Sequence, residues 1–276
     1  MPLNIDPKVV RDFGEEWKRF DQTSVPEPEL REQFERYFAV FPWEQLPNDA
    51  QGFDLGCGSG RWAKFVCPKV GKLHCVDPSA AALEVARVNL ESAPNCEFHL
   101  AASDTLPFQD CSMDFCYSLG VLHHIPDTSR GIADCVRKLK PGGIFLVYLY
   151  YAFDTKPPWF VAVWRVSDLA RRAICHMPHS LKTLTTDLIA LTVYLPLART
   201  ARLASWFGYD VANWPLSTYM LKSFYTLRTD ALDRFGTSLE RRFSRDHISK
   251  MMEAAGLTRI RFSDEAPFWC ASGRKH

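Results

Sequence analysis

Five short apolar runs, each separated from the next by a helix-like stretch, constrain the fold of residues 52–149. Strands that alternate with helices are joined by crossover connections, so this pattern predicts a parallel sheet with helices on both faces. A further amphipathic stretch and two more apolar runs, 258–263 and 268–272, predict an antiparallel pair at the sheet edge. The expected fold is therefore α/β with a seven-stranded mixed sheet. The five runs are 52–56, 72–77, 96–101, 114–119 and 144–149.

Composition and charge divide the chain into three parts. Residues 1–50 are rich in aromatic side chains at helical spacing, and they form either a mobile helical lid facing a ligand or part of the core. Residues 51–151 and 246–276 supply the sheet. Residues 152–245 hold 13 Lys and Arg against 7 Asp and Glu, whereas the rest of the chain has an acidic excess. We interpret this third part as a basic helical insertion that caps the substrate.

A glycine-rich turn after the first apolar run is the strongest functional signal. It reads Phe53-Asp-Leu-Gly-Cys-Gly-Ser-Gly60, and its glycines let the backbone approach a ligand closely. The dinucleotide fingerprint has the spacing G-x-G-x-x-G, whereas here the third glycine comes one residue early and Arg61 follows it. Asp54 would repel a pyrophosphate and attract a cationic amino group. The turn therefore favours a ligand with a cationic group over a dinucleotide.

This turn resembles the first motif of the class I S-adenosylmethionine-dependent methyltransferases, a family with a Rossmann-like sheet. Later segments match the family's motifs in the order expected. Together they are most similar to the methyltransferase type 11 group, which includes quinone, sterol and natural-product enzymes. The resemblance implies S-adenosyl-L-methionine as cofactor. The later segments are 76–79, 106–108 with 112–114, 122–127 and 139–143.

The resemblance also implies which residues bind the cofactor. Asp77, followed by Pro78, ends the second strand, where the family has an acid that accepts hydrogen bonds from both ribose hydroxyls. The residues of the glycine-rich turn are expected to form the rest of this part of the site. They are Asp54, Gly56, Cys57, Gly58 and Gly60.

Three further positions complete the expected cofactor site. The family usually has an acid near the adenine amino group, but Ala102 stands at that position, so Asp104 or the backbone of Ser103 is expected to contact adenine. Leu119 ends the fourth strand, where the family contacts the methionine portion. Trp17 is the aromatic residue of the N-terminal segment that we expect to face the cofactor.

The candidate catalytic residues follow the fourth and fifth strands. His123 and His124 lie near the expected position of the methyl group, and an imidazole there can take a proton from a hydroxyl at neutral pH. His124 is favoured as the base, and the alternative is that the pair only holds its loop by hydrogen bonds. Tyr150 ends the fifth strand, where its ring can either stabilise a cation or pack as an ordinary strand residue.

The insertion leaves the nature of the acceptor open. Over 159–176 we expect apolar side chains on one helix face and Arg165, Asp168, Arg171 and Arg172 mostly on another. Such helices form an ordinary cap, a cap whose arginines bind an anionic acceptor, or a surface that docks on a membrane.

Nucleic-acid and membrane-spanning proteins are not favoured. A net charge of +1 gives no overall attraction for nucleic acid. The longest strongly apolar run, Leu188–Ala198, has about half of the ~20 residues that a transmembrane helix needs. It also contains Pro196, so no transmembrane segment is predicted.

The cysteine pattern predicts neither a metal site nor a disulfide framework. Cys175, His176 and His179 offer three metal ligands without an evident fourth, so no metal is expected. Nine cysteines without a C-x-x-C pair, and no apolar run typical of a signal peptide, predict a reduced, cytoplasmic protein.

The combined motifs predict transfer of the methyl group of S-adenosylmethionine to oxygen, nitrogen or carbon of a small-molecule or lipid-like acceptor. One alternative keeps this cofactor for non-methyl chemistry, either cyclisation or aminocarboxypropyl transfer. A less favoured alternative is an NAD-dependent dehydrogenase, which shares the sheet and the acid after the second strand.

Overall fold

The computed structural model of the protein describes residues 3–153, 157–212, 214–267 and 269–276. These residues form two compact units. The first unit holds residues 3–23, 30–152 and 239–276, and the second holds residues 24–29 and 153–238 apart from the gaps just given. Parts of three predicted segments lie outside the described residues. They are residues 1 and 2 of the lid, 154–156 and 213 of the insertion, and Phe268 of the last strand.

The first unit contains the predicted seven-stranded mixed sheet. Its strand order is β3-β2-β1-β4-β5-β7-β6, with β1 to β5 parallel and β7 antiparallel to both neighbours. The strand order reverses at β1 and β4, and open α/β sheets bind ligands at the carboxyl ends of the strands there. The strands are β1 (Gln51–Leu55), β2 (Lys72–Asp77), β3 (Cys96–Leu100), β4 (Met113–Leu119), β5 (Leu139–Tyr148), β6 (Leu257–Phe262) and β7 (Cys270–Lys275).

Ten α-helices are assigned among the described residues. Four of them, α6 to α9, belong to the second unit. Ser79 caps α4 by accepting a hydrogen bond from the Ala82 N–H. The stretch between β1 and β2 has only one α-helical turn, because Pro68 follows it in a 3₁₀ turn. The helices are α1 (Pro7–Arg19), α2 (Glu27–Tyr37), α3 (Ala63–Val66), α4 (Ala80–Asn89), α5 (Thr128–Lys138), α6 (Pro158–Ile174), α7 (His179–Ile189), α8 (Leu195–Trp206), α9 (Phe224–Gly236) and α10 (Arg245–Ala254).

Aromatic side chains of the N-terminal segment pack into the core of the first unit. Phe34, Phe38 and Phe41 are buried, and the ring centroids of Phe38 and Tyr117 are 5.1 Å apart. The Phe34 ring stacks on Phe65 at 5.0 Å. The N-terminal segment was expected to form either a mobile lid or part of the core, and these three residues form part of the core.

The second unit has a small core of its own between α6, α7, α8 and α9. Its centre consists of apolar side chains from these helices and from the π-helical turn Ala190–Tyr194, which joins α7 to α8. Because this wide turn immediately precedes α8 and Pro196, the helix continues through the proline. The core residues are Ile174, Ala190, Tyr194, Ala198, Leu227, Ala231 and Phe235.

Two expectations from the sequence differ from the structure. His179–Trp206 is one continuous helical segment of 28 residues, which by length and composition alone is able to cross a membrane; the sequence predicted an apolar run of half the required length. Cys67 and Cys96 are joined in a disulfide, although reduced cysteines were predicted. The Asn95 side chain donates to the Cys67 carbonyl at 2.8 Å, which brings the two segments together across 29 residues of sequence.

Candidate active site

The glycine-rich turn lies at the carboxyl end of β1. Gly56, Gly58 and Gly60 have φ angles of 77°, 55° and 75°, which favour glycine because residues with a Cβ rarely adopt them. The N–H groups of Gly56 and Cys57 donate to the Val76 carbonyl at 2.7 and 3.1 Å. The turn is thereby fixed against the end of β2, close to the predicted ribose-binding acid.

Asp77 ends β2 and holds the turn from the other side. Its Oδ2 accepts a hydrogen bond from the Gly58 N–H at 3.0 Å, and its Oδ1 accepts one from the Ser79 N–H at 2.8 Å. Burial raises the pKa of Asp77 to about 6, and these two hydrogen bonds act in the opposite direction. Each carboxylate oxygen keeps a further lone pair, which suits two neighbouring hydroxyls. Pro78 continues the chain from this acid and is half-buried.

Asp54 is a buried carboxyl on β1, and its Oδ2 has no hydrogen-bond partner among the described residues. Burial raises the pKa of Asp54 to about 8, and the charge of Asp77 raises it further, whereas Tyr117 and Arg61 lower it. Tyr117 is the register partner of Asp54 on β4. A buried carboxyl with one unsatisfied oxygen is unfavourable when charged, and a cationic ligand group would favour its ionised form.

Trp17 of α1 covers the turn. A Cβ on Gly58 would lie 2.8 Å from two ring atoms of Trp17, so only glycine allows this contact. The Arg61 guanidinium lies 5.3 Å from the centroid of the same ring. The structure thus brings the predicted N-terminal aromatic residue to the predicted turn.

The remaining predicted cofactor residues surround the same strand ends. Ser103 is buried and its hydroxyl has no partner among the described residues, while Leu119 is buried at the end of β4. Asp104 accepts hydrogen bonds at Oδ2 from the Asn4 N–H at 2.7 Å and from Arg130 at 3.3 Å. Its Oδ1 is buried with no partner in the described part of the chain. Asp104 therefore already holds the N-terminal segment, which leaves one oxygen for the predicted adenine contact.

Cys57 is buried and uncharged. The neighbouring Cys75 and burial together hold the pKa of the Cys57 thiol well above its usual range. The residue contributes its backbone N–H to the turn, and its thiol is unsuited to act as a nucleophile.

His123 is fully buried against Tyr150. The two rings stack with centroids 3.8 Å apart and an interplanar angle of 29°. Burial, helped by the neighbouring His124 and Arg242, holds the pKa of His123 well below its usual range. Neither ring nitrogen has a hydrogen-bond partner within the described ranges. His123 is therefore a neutral ring that can accept a proton only at a large cost.

His124 is held in a defined tautomer. Its Nδ1 lies 2.6 Å from the Leu239 carbonyl oxygen, and a carbonyl can only accept, so we assign the proton to Nδ1. The lone pair of the neutral ring is then on Nε2. This arrangement matches a general base oriented by its second nitrogen, and it also fixes the loop after β4, so both interpretations of the pair remain compatible with the geometry.

Two residues near the histidines were not among the predicted site residues. Phe13 of α1 packs on His124 with ring centroids 5.0 Å apart. The Arg242 guanidinium lies 5.1 Å from the Tyr150 ring centroid and pairs with Glu240 at 2.8 Å. The helical spacing of aromatic residues in α1 gave a signal for Phe13. Arg242 had none, because it lies among many other arginines of the basic segment.

The residues at this site fit S-adenosylmethionine. A backbone turn that only glycine allows lies between two buried carboxyls, one with free lone pairs for hydroxyls and one that needs a cation to ionise. Asp77 would hold the ribose, and Asp54 would balance the charge of the amino acid portion. Ser103 offers a further polar atom whose partner is not among the described residues.

A separate cluster in the first unit has the composition of a metal site, although none was predicted. His74 Nδ1 lies 2.9 Å from His99 Nε2 and 3.3 Å from Glu97 Oε2. Glu97 also pairs with Lys72 at 2.6 Å. Burial is the main cause that lowers the pKa of His74 to about 4, so this ring is neutral and able to bind a metal. The register pairs His74 with Glu97 across β2 and β3, which the sequence spacing does not reveal.

Comparison with known proteins identifies the domain. Residues 53–147 match the family model of the methyltransferase domain. A ubiquinone biosynthesis O-methyltransferase of Methylocella silvestris is 26% identical over 164 residues, which cover 52% of this chain and 63% of that protein. The "Probable tRNA methyltransferase 9B" of Bos taurus is 35% identical over 113 residues, which cover 40% of this chain and 23% of that protein. The chain thus spans less than two thirds of either relative.

A solved structure shares the fold. A chain in the complex between the Haloferax volcanii Trm112 methyltransferase activator and a methyltransferase superposes with a TM-score of 0.55 at 16% identity. The match covers 97% of this chain and 98% of that one. With the motifs, the seven-stranded sheet and the matched family model taken together, the chain carries a class I S-adenosylmethionine-dependent methyltransferase domain of the type 11 group.

Proposed function

We propose that the protein transfers the methyl group of S-adenosylmethionine to oxygen, nitrogen or carbon of a small-molecule or lipid-like acceptor. The observation that carries this proposal is the turn between Asp54 and Asp77, where two buried carboxyls flank a backbone path that only glycine allows. A sulfonium nucleoside with hydroxyls and an amino group satisfies both carboxyls at once.

When bound, S-adenosylmethionine supplies a methyl group activated by a positively charged sulfur. The protein then has to hold and orient the cofactor and the acceptor, and it has to exclude water from them. Asp77 accepts hydrogen bonds from hydroxyls, while the Gly58 and Ser79 N–H groups keep its carboxylate oriented. His124 Nε2 accepts the proton of a hydroxyl acceptor, and the Leu239 carbonyl fixes the other ring proton on Nδ1.

The surroundings of His124 favour an apolar acceptor. Aromatic rings pack around the histidine pair from α1 and from the end of β5, with centroid distances of 3.8 to 6.4 Å. The family model ends at residue 147, so residues 152–245 are not part of what the family shares. We propose that this segment, expected from the sequence to be the substrate cap, selects the acceptor.

Calorimetry and product analysis test the proposal with separate readouts. The full chain should bind S-adenosylhomocysteine and should not bind NAD, and the Asp77→Ala variant should lose most of that affinity while it stays folded by circular dichroism. Turnover with labelled cofactor should then release S-adenosylhomocysteine. Release of methylthioadenosine would instead show cyclisation or aminocarboxypropyl transfer on the same site.

The acceptor class is tested with the same labelled cofactor. Quinols, other apolar phenols and sterols should accept the label, whereas bulk tRNA should not. Labelled tRNA without any labelled small molecule would contradict the proposed acceptor class and leave the cofactor assignment intact.

A further inference from the structure

Helix α6 buries two charged residues together with Ile174, and it exposes several large apolar residues alongside Arg165 and Arg172. Its buried polar residues are Asp168 and Arg171, which form an ion pair at 2.7 Å. Arg171 also donates to the Thr237 carbonyl at 2.9 Å. The exposed side carries large apolar residues whose fractional exposure is 47–68%. They are Trp159, Val163, Val166 and Leu169.

The continuous helical segment His179–Trp206 also exposes large apolar residues, over a greater length. The residues that it buries are mostly small or polar and include Thr183, Thr186, Ala190, Ala198 and Ala201. Six of its seven leucines are exposed, by 40–57%, whereas Leu195 packs against the core of the unit. The exposed leucines are Leu181, Leu184, Leu188, Leu191, Leu197 and Leu203.

A surface of this kind requires an apolar environment. Soluble helices place their apolar stripe against the core, whereas small residues at helix contacts and leucine on the outside are typical of helices in lipid. Only a third of the most apolar 18 residues of His179–Trp206 is buried. The two helical segments together expose twelve large apolar side chains, which exceeds what scattered surface residues explain.

The charges and aromatic residues around this surface indicate which partner covers it. Arg165, Arg172 and Arg202 are exposed on the same helices, within a segment that has an excess of six basic residues. Trp206, Phe207 and Tyr209 follow the leucines and are also exposed, Trp206 by 80%. Aromatic rings at the end of an apolar helix and nearby arginines suit the interface of a membrane with negatively charged lipids.

We propose that the exposed faces of α6 and His179–Trp206 dock on an anionic lipid bilayer. We call these two faces together the apolar surface. They lie in the second unit, so this inference goes beyond methyl transfer and does not depend on the cofactor site. It selects membrane docking among the alternatives that the sequence left open for the insertion. Arg171 and Arg199 both hold backbone carbonyls of their own unit, which weighs against the alternative in which they bind an anionic acceptor.

Vesicle flotation of the full chain tests the proposal. The protein should float with phosphatidylcholine vesicles that contain phosphatidylglycerol, bind more weakly to phosphatidylcholine alone, and bind less in high salt. Leu184→Gln combined with Leu188→Gln and Leu191→Gln should lower partitioning by roughly tenfold or more, since each leucine loses its burial in lipid. A matched control, Val88→Gln with Leu100→Gln, changes two apolar residues of the first unit that are at least as exposed and should leave flotation unchanged.

Two further readouts separate lipid docking from unfolding and from self-association. Arg165→Gln with Arg202→Gln should reduce flotation with anionic vesicles and leave the weak binding to phosphatidylcholine unchanged. Circular dichroism and S-adenosylhomocysteine binding of every variant should match the unmodified protein, which excludes unfolding. Absence of flotation in the unmodified protein, or equal loss in the matched control, would overturn the proposal. A lipid-independent dimer that becomes a monomer in the triple leucine variant would assign the apolar surface to a second copy instead.

Discussion

The ionisation of Asp54 makes the stability of this protein depend on pH in a direction that can be calculated. In the unfolded chain the carboxyl has its usual pKa of 3.8, whereas burial raises the pKa to about 8 in the folded protein. Between these values the folded state binds more protons, so the free energy of unfolding decreases as the pH rises and becomes constant above about 8. Each pKa unit corresponds to 1.36 kcal/mol. The free energy of unfolding at pH 7 is therefore lower than that below pH 3.8 by up to roughly 4 kcal/mol.

Asp54→Asn removes this titration and keeps the shape of the side chain. Urea unfolding of both proteins from pH 5 to pH 8 should show that the stability advantage of the variant grows by about 1.4 kcal/mol per pH unit up to pH 7. Any constant effect of the amide adds equally at every pH and leaves that slope unchanged. Parallel stability curves for the two proteins would refute the reasoning, because Asp54 would then be ionised in the folded state.

Binding of a cationic ligand provides a second test of the raised pKa of Asp54. At pH 7 a carboxyl with a pKa of about 8 holds about 0.9 proton, and an ammonium group beside Asp54 should release it. Calorimetry of S-adenosylhomocysteine binding in buffers with different ionisation enthalpies should therefore detect proton release in the unmodified protein. The release should be absent from Asp54→Asn. Equal proton release in both proteins would place the cationic group elsewhere.

Asp77→Ala should weaken S-adenosylhomocysteine binding by at least ~1.5 kcal/mol in calorimetry, since two charge-assisted hydrogen bonds are lost; unchanged affinity in a folded variant would remove the ribose assignment. His124→Ala should lower turnover of a hydroxyl acceptor roughly a hundredfold with little change in cofactor affinity, and turnover equal to the unmodified protein would leave the histidine a structural role. Gly58→Ala should lower the free energy of unfolding by ~1–3 kcal/mol, because φ is 55° and the new Cβ meets Trp17. Trp17→Ala should relieve the steric part of that loss, and equal losses in both backgrounds would contradict the contact.

The sheet could be predicted from the sequence because its signals are local. Each strand is a short apolar run between turn residues, and crossover rules leave few ways to join such strands into one sheet. The positions of Asp54 and Asp77 at strand ends are also local facts, so their convergence on one turn could be expected. That Trp17 faces the cofactor site could only be stated as an expectation, and its contact with Gly58 could not be predicted, since the angle of α1 depends on packing between residues that are distant in sequence.

The pairings between distant residues carried no sequence signal. His74 meets Glu97 because β2 and β3 lie side by side in one register, and Cys67 in the turn before β2 meets Cys96 at the start of β3. A shift of one residue in that register would turn His74 to the other face of the sheet. Strand patterns predict which strands exist but do not give their register residue by residue, so the candidate metal cluster could not be predicted.

The insertion shows what the helical period alone does and does not determine. A period of 3.6 residues reveals that α6 has two unlike faces, but it does not reveal which face is covered. The sequence left open whether the apolar face meets the protein or a membrane, and whether the arginines meet water or an anionic acceptor. The structure buries Asp168 with Arg171 and exposes Val163 and Leu169. A buried ion pair contributes little to stability unless its hydrogen bonds are complete, and here the Thr237 carbonyl accepts a further hydrogen bond from Arg171. The buried ion pair is therefore compatible with a stable unit, and contact with lipid would explain why the large apolar residues face outward.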